Sequence, residues 1–323
     1  MPDVHRVAVL DDYQRAAQGY GDWDSLGNVE VAFFPDHLLD DDDIVGRLEP
    51  YDVVVATRER TRFPAELLNR LPALRLLIST GMSTAHIDLP TTRERGITVC
   101  GTQMYGEAAP SPASELTWAL IMELTKGVAR EDAGLRAGGW GTALSDDLAG
   151  STLGLIGLGR LGSKVARVGL AFDMRVIAWS QNLDPQRAES LGVQAVDKET
   201  VLRESDILSI HTLLSRRTRG LLGAADLALL KPTALLINTS RGPIIDEAAL
   251  IEVLAQRRIR GAGLDVFDVE PLPADHPLRS APNTVLTPHV GYVSHASYRG
   301  FYTGAVADIV AYRRGEPVNV LNG

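Results

Sequence analysis

The sequence predicts an α/β protein of two doubly wound parallel-sheet domains, and three observations predict it. Short runs rich in Leu, Ile and Val alternate with helix-patterned stretches through both halves of the chain, which is the signature of βαβ units. At 323 residues the chain is too long for one comfortable core. Three apolar runs of the second half each deliver a polar side chain of a different kind: "ALLINTSRG" delivers Arg241, "GAGLDVFDVEP" Glu270 and "TVLTPHVG" His289. Ligands of open parallel sheets sit beyond the carboxyl ends of the strands. A cation, a carboxylate and an imidazole are therefore expected at one crevice, a set that can bind an anion and move a proton.

In chain order, "RVAVL", "VEVAFF", "DVVVAT", "LRLLIS" and "ITVC" read as strands of a first sheet. "PAELLNRL" reads as a helix with Pro64 in its first turn. The run Asp40 to Asp43 reads as an N-cap and first turn, where carboxylates suit the helix dipole. A long helix is expected over 111–128, started by Pro110 and Pro112, and "AGGWGTALSDDLAG" after it is a loop or arm. A second series follows with "TLGLIG", "MRVIAW", a weaker "VQAV", "ILSIH", "ALLINT", "GLDVF" and "TVLTP". The stretch from Ser294 to Arg314 is a closing helix, ended by Gly315 and Pro317. A cleft between the two sheets is where a substrate is expected.

Composition narrows the partners. Hydrophobic residues are 45% and charged residues 23% of the chain, ordinary for a globular protein. A net charge of −9 and a pI near 5.3 argue against nucleic acid or an acidic membrane surface, which need clustered Lys and Arg. The single cysteine, Cys100, excludes an internal disulfide and suits a reducing compartment. The start "MPDVHRVAVLDD" lacks a signal pattern and no run is long enough to span a membrane, so a cytoplasmic location is expected. No His, Cys or carboxylate pair shows metal-ligand spacing on a helix, and no metal is expected.

Gly157, Gly159 and Gly162 form a G-x-G-x-x-G between the strand "TLGLI" and the helix "RLGSKVARVGLAF". With 30 glycines in 323 residues, chance supplies about 0.3 such patterns per chain, so context carries the assignment. In that context the first glycine turns the chain, the second admits a pyrophosphate and the third lets helix and strand close. The amides of Arg160 and Leu161 would face the phosphates. The next strand normally ends on an acid that binds the adenosine ribose. Here Trp179, Ser180, Gln181 and Asn182 stand there instead. A dinucleotide is expected, NAD(H) or NADP(H), without a declared preference.

With "TLGLIGLGRLGSKVA", "LLINTSRGPIIDEAAL", "GAGLDVFDVEPL" and "NTVLTPHVG", the chain resembles the D-isomer-specific 2-hydroxyacid dehydrogenases over nearly its whole length. This is the group of phosphoglycerate dehydrogenase and the glyoxylate and hydroxypyruvate reductases. The resemblance implies a Rossmann-type cofactor domain, 103–293, inserted in a flavodoxin-like substrate domain, 1–102 and 294–323. It implies a homodimer built through the inserted domain and its arm, and a small 2-oxo or 2-hydroxy acid as substrate. By position, Arg241 matches the substrate-carboxylate arginine, Glu270 the carboxylate behind the acid/base, and His289 the acid/base. Asp265 matches the aspartate that holds the nicotinamide amide. Ser180, Thr212, Thr218, Thr239, Ser240 and Gly291 complete the expected cofactor set. Arg58, Thr80, Gly81, Met82 and Tyr292 are the expected substrate contacts. The loop "STGMSTAHID" keeps Gly81 but has Ser83 and Ala85 where glycine and aspartate are common in the family, and Tyr292 stands where small residues are frequent. These departures leave the particular acid open.

The chemistry suits those residues. Reducing a 2-oxo acid needs a fixed carboxylate, a hydride at C2 and a proton at the oxygen. Arginine's planar fork binds a carboxylate, histidine titrates near neutrality, and a carboxylate on the far ring nitrogen orients it and stabilises imidazolium. Taken singly, each residue has a structural reading: a solvated arginine, a turn glutamate before Pro271, a packed histidine after Pro288. Together at three strand ends of a dinucleotide fold they favour catalysis. His211 is read as lining the cofactor or as structural, His86 as a lesser ligand candidate, and His276 as structural or solvent-facing. A nucleotide-sensing binding protein of corepressor type is the alternative, since those relatives keep a triad. Formate dehydrogenase is disfavoured because its pattern has an amide where Glu270 stands.

Overall fold

The computed structural model describes residues 4–103, 111–141 and 143–323; Pro110, expected to mark a helix start, and Thr142 of the arm lie outside them. The chain divides into two compact units, 1–110 with 293–323, and 111–292.

The first unit holds one parallel sheet of β1 (Arg6–Val9), β2 (Glu30–Phe33), β3 (Val53–Ala56), β4 (Leu76–Ser79) and β5 (Thr98–Gly101), in the order β2-β1-β3-β4-β5. This is the flavodoxin-like order, with its switch point between β1 and β3. All four residues of β3 and of β4 are buried, as strands covered on both faces require. Asp40 caps the helix Asp41–Leu48 by accepting from the amides of Asp42 and Asp43. The helix His295–Arg313 belongs to this unit, and Ser294 caps it by accepting from Ser297 N.

The second unit holds β6 (Thr152–Ile156), β7 (Arg175–Trp179), β8 (Gln194–Ala195), β9 (Ile207–Ile210), β10 (Leu235–Asn238), β11 (Gly261–Leu264) and β12 (Thr284–Leu286). All pairings are parallel, in the order β12-β11-β10-β9-β6-β7-β8, so the switch point lies between β6 and β9. Alternation along β10 splits its side chains between the two faces. Leu235 and Ile237 join Trp118, Ile121 and Leu124 of one core, while Leu236 joins Leu208, Ile244 and Leu250 of the other. That period of two is what buries both faces of the sheet.

Several boundaries differ from the sequence expectation. Pro64, expected in the first turn of its helix, is instead the N-cap of the helix Ala65–Asn69, in extended backbone. The helix expected to reach residue 128 ends at Lys126, because Gly127 adopts φ +59 and a separate helix, Val128–Arg136, begins. The strand expected at "GLDVF" is Gly261–Leu264. The chain leaves the sheet at Asp265, whose carboxylate takes up the hydrogen bonds described below.

Candidate active site

The glycine turn occupies the switch point of the second unit. Gly157 has φ +104, and a Cβ there would lie 2.7 Å from the carbonyl oxygen of His211 and 3.1 Å from the amide of Thr212. A Cβ on Gly162 would lie 2.2 Å from the carbonyl oxygen of Gly157. Gly159, by contrast, faces open space, and it is the N-cap of the helix Arg160–Ala171. The turn is thus packed shut behind and open in front. The first-turn amides of Arg160 and Leu161, which lack intrahelical acceptors, look out there. A pyrophosphate fits this cradle, and the residues present agree with a dinucleotide.

The neighbouring strand ends complete its walls. The amide of Gly157 donates to the Trp179 carbonyl at 2.8 Å, which seats the end of β7 against the turn. Ser180 follows without a carboxylate beside it; Asp184, the nearest acid, caps the next helix through Gln186 N. His211 has its Nε2 2.9 Å from Ser209 Oγ, and burial pushes its pKa down to about 4. It is a neutral wall of the turn. Thr218 differs from its expected neighbours: its hydroxyl accepts from Ser215 N at 2.7 Å and donates to the Leu213 carbonyl, closing its own turn. Thr239 shares a 2.8 Å hydroxyl contact with Thr117, and Ser240 Oγ donates to the Ile210 carbonyl at 2.8 Å.

Asp265, Glu270 and His289 come together beyond β11 and β12. His289 Nδ1 lies 2.5 Å from Glu270 Oε2. Glu270 Oε1 accepts from Phe267 N at 2.9 Å, so its own loop aims it. Fully buried Asp265 accepts from Thr287 Oγ1 at 2.6 Å, Val290 N at 2.8 Å and Gly291 N at 2.8 Å. Burial raises its pKa, opposed by those three bonds and by nearby His289. Its visible work is to pin the segment on either side of His289, which sits at φ +53, a conformation that side chains adopt only when held. Gly291 is required in that segment, since a Cβ there would stand 2.9 Å from Asp265 Oδ2. Tyr292 packs its ring edge-on to His289, centroids 5.7 Å apart.

Arg241 follows β10 in extended backbone. Its Nη1 donates to the Ser240 carbonyl at 2.7 Å, and its own carbonyl accepts from Asn238 Nδ2 at 3.0 Å. Gly242 then passes so close to the next loop that a Cβ would lie 2.1 Å from Phe267 C. The arginine turn and the glutamate loop are therefore packed as one body.

The first unit gathers the other candidates at the ends of β3 and β4. Arg58, at φ +54, donates its amide to Thr80 Oγ1 at 2.8 Å. Its guanidinium lies across Gly81 at φ +107, where a Cβ would meet Nη1 at 2.3 Å. Met82 beside them is exposed. His86 is buried against Phe63, and burial lowers its pKa to about 4. A second cluster of this unit escaped the sequence reading. Asp11 accepts from Thr61 Oγ1 at 2.8 Å and lies 2.7 Å from His37 Nδ1. Neither a motif nor a spacing marks it; only the strand order brings residues 11, 37 and 61 together.

The comparisons agree with these features. Residues 118–291 match the family model of the D-isomer specific 2-hydroxyacid dehydrogenase NAD binding domain. A glyoxylate reductase of Aeropyrum pernix is 38% identical over 272 residues, 81% of this chain and 80% of that protein. A hydroxypyruvate reductase of Thermotoga maritima is 37% identical over 89% of this chain and 91% of its own. The crystal structure of a phosphoglycerate oxidoreductase from Vibrio cholerae superposes with a TM-score of 0.90 at 34% identity, covering 97% of this chain and all of that one (100%). The chain belongs to the D-isomer-specific 2-hydroxyacid dehydrogenases and is an NAD(P)-dependent oxidoreductase of that family.

Proposed function

We propose that the enzyme interconverts a small 2-oxo acid and its D-2-hydroxy acid, with His289 as acid/base, Glu270 as its partner and Arg241 as carboxylate anchor. The 2.5 Å contact between His289 Nδ1 and Glu270 Oε2 carries the reading. With Nδ1 engaged there, the proton for the substrate oxygen passes through Nε2. Glu270, on the far ring nitrogen, orients the ring and stabilises the imidazolium from which the proton is transferred. Arg241 pairs with the carboxylate through two parallel bonds and fixes C2. The bound nicotinamide supplies the hydride. Gly157, Gly159, Arg160, Leu161 and Gly162 would hold its pyrophosphate, and Asp265, which already accepts three hydrogen bonds, would offer its remaining acceptor site to the nicotinamide amide.

The relatives named for glyoxylate and hydroxypyruvate favour a substrate of two or three carbons. Arg58, Thr80, Gly81, Met82 and Tyr292 are assigned to substrate binding from the family resemblance. The assembly proposed is a homodimer through the arm. Supporting it, no residue of the helix Val128–Arg136 is buried, and Leu135, Trp140 and Leu144 are 57%, 88% and 98% exposed. Apolar surface in such a run favours a partner of the same kind.

The test is oxidation of NADH and NADPH with glyoxylate, hydroxypyruvate, pyruvate and phosphohydroxypyruvate, in wild type and Arg241→Lys. Turnover with at least one acid is expected. The lysine variant should lose about 2 kcal/mol of transition-state stabilisation, roughly 30-fold in kcat/KM, with cofactor affinity unchanged, because an ammonium cannot make the two-pronged contact. No turnover with any acid, alongside intact dinucleotide binding, would favour the nucleotide-sensing alternative.

A further inference from the structure

The loop that carries Glu270 is fastened by a residue outside the triad. After β11 the chain runs through Glu270 to His276, which caps the 3-10 turn Pro277–Ser280 by accepting from Leu278 N on Nδ1 at 3.3 Å. Glu247 opens the helix Glu247–Ala255 and reaches two points of that loop. Its Oε2 accepts from Asp268 N at 3.1 Å, and its Oε1 lies 3.1 Å from His276 Nε2. Because His276 Nδ1 is an acceptor, the ring hydrogen sits on Nε2 and donates to Glu247. Arg279 closes the stretch between them, donating to the carbonyls of Leu272 and Pro273 at 2.6 and 2.7 Å.

Glu247 also stands on the segment that carries Arg241, joined to it through the Gly242 turn that packs on Phe267. One side chain thus connects the anchor's segment to the loop of the acid/base partner. We infer that Glu247 is a positioning residue for the acid/base: by binding Asp268 N–H and His276 it fixes the loop that presents Glu270 to His289 and sets that loop's register against Arg241. The inference rests on the acid/base reading of His289 and Glu270.

The surroundings argue against a contact kept for stability alone. Glu247 shares its neighbourhood with Asp246 and Asp268. The Asp268 carboxyl is held above its ordinary range first by burial and then by Glu247, with Asp246 adding to the rise and Arg219 and His276 opposing it in smaller measure. A carboxylate there faces like charge from Asp246 and Asp268, which offsets part of what its two hydrogen bonds contribute to stability. What it provides is direction. The Asp268 amide follows directly on the Phe267 amide that aims Glu270. Freeing the first lets the second turn, and the contact to His289 loosens.

Glu247→Gln tests this. The amide keeps an oxygen for Asp268 N but must set a donor against the His276 Nε2 hydrogen. In 2-oxo acid reduction, kcat should fall about 10-fold while the cofactor KM stays within about twofold. The alkaline limb of kcat should move to lower pH by about half a unit, because a less well placed Glu270 stabilises the imidazolium less. The acids facing His289 are Glu270 and Asp265, and only the former is aimed through this loop. His276→Ala, which removes one contact only, should shift the limb the same way by less. In a Glu270→Gln background Glu247→Gln should add no further shift. A Glu247→Gln enzyme with an unmoved limb, whether or not Tm and kcat fall, would overturn the inference. If Glu270→Gln itself leaves the limb in place, the acid/base reading fails first and takes this one with it.

Discussion

The two sheets are built alike, all parallel and doubly wound, yet their carboxyl edges are finished differently. In the second unit the switch point carries a glycine turn packed shut against His211 and open at Gly159. Beyond β11 and β12, Asp265 and Glu270 then fix one histidine from its backbone and its ring. In the first unit the same edge is filled by its own side chains. At the switch point Asp11 bonds to both His37 and Thr61, and the Arg58 guanidinium covers Gly81. One edge is finished by open backbone, the other by side chains that fill it. Architecture sets where a site sits, and local backbone decides what kind it is.

Glycine substitutions should break this contrast most strongly. Gly162→Val drives a Cβ into backbone, the Gly157 carbonyl oxygen at 2.2 Å, and should weaken dinucleotide binding by at least about 100-fold. Gly81→Ala meets only the far end of Arg58. It should leave dinucleotide affinity intact and raise the KM for the oxo acid, with about 1–3 kcal/mol of local strain from its positive φ. Nucleotide fluorescence titration alongside kinetics separates the two. Equal losses of dinucleotide affinity would erase the distinction.

The next effect belongs to the first unit. Asp308 is fully buried on the helix His295–Arg313, with Asn319 Nδ2 donating to Oδ1 at 2.9 Å. Burial raises its pKa to about 6 from 3.8. A raised folded-state value means the native state binds the extra proton. Its contribution is therefore present below pH 4 and lost as pH rises through about 6, a difference of about 3 kcal/mol. Asp308→Asn keeps the acceptor for Asn319 and should make the protein more stable at pH 8 while changing little at pH 4. Thermal unfolding at both pH values checks it, and equal effects at the two would reject the assignment.

Much of this was legible in the sequence, for physical reasons. Strands buried on both faces, such as β3, β4, β6, β9, β10 and β11, announce themselves as apolar runs. The part-exposed β2, β8 and β12 were read from weaker signals, and the glycine spacing is forced by backbone approach. Arg241, Glu270 and His289 stood out because each closes such a run. What could not be read depends on chain reversals. Glu247 and His276 meet only because the loop after β11 folds back onto the helix Glu247–Ala255, and Asp11, His37 and Thr61 only because β1 lies between β2 and β3. The strand end at Leu264 was missed because Val266 and Phe267 remain apolar after the ladder stops. They are buried by the turn that Asp265 and Glu270 organise. The helix break at Gly127 was present as a glycine, but its positive φ was not.

The smallest effect sharpens the comparison within the second unit. Ser180 follows β7 directly, with no carboxylate to repel a 2′-phosphate and no adjoining arginine to bind one. A charge-assisted hydrogen bond contributes roughly 1.5–3 kcal/mol, so preference between NADH and NADPH should stay below about 100-fold. Ser180→Asp should move it toward NADH. Paired kcat/KM values decide the point, and a wild-type preference beyond about a thousandfold would place recognition outside this strand.

The central claim, that His289 held by Glu270 exchanges the substrate proton, is tested most directly by the pH dependence of 2-oxo acid reduction in wild type beside Glu270→Gln. Reduction needs the protonated ring, so the wild-type rate should fall as pH rises, and hydroxy acid oxidation should rise over the same range. Removing the negative neighbour disfavours the protonated ring, so both limbs should move to lower pH, by about one unit. Superimposable profiles for the two enzymes would contradict the account.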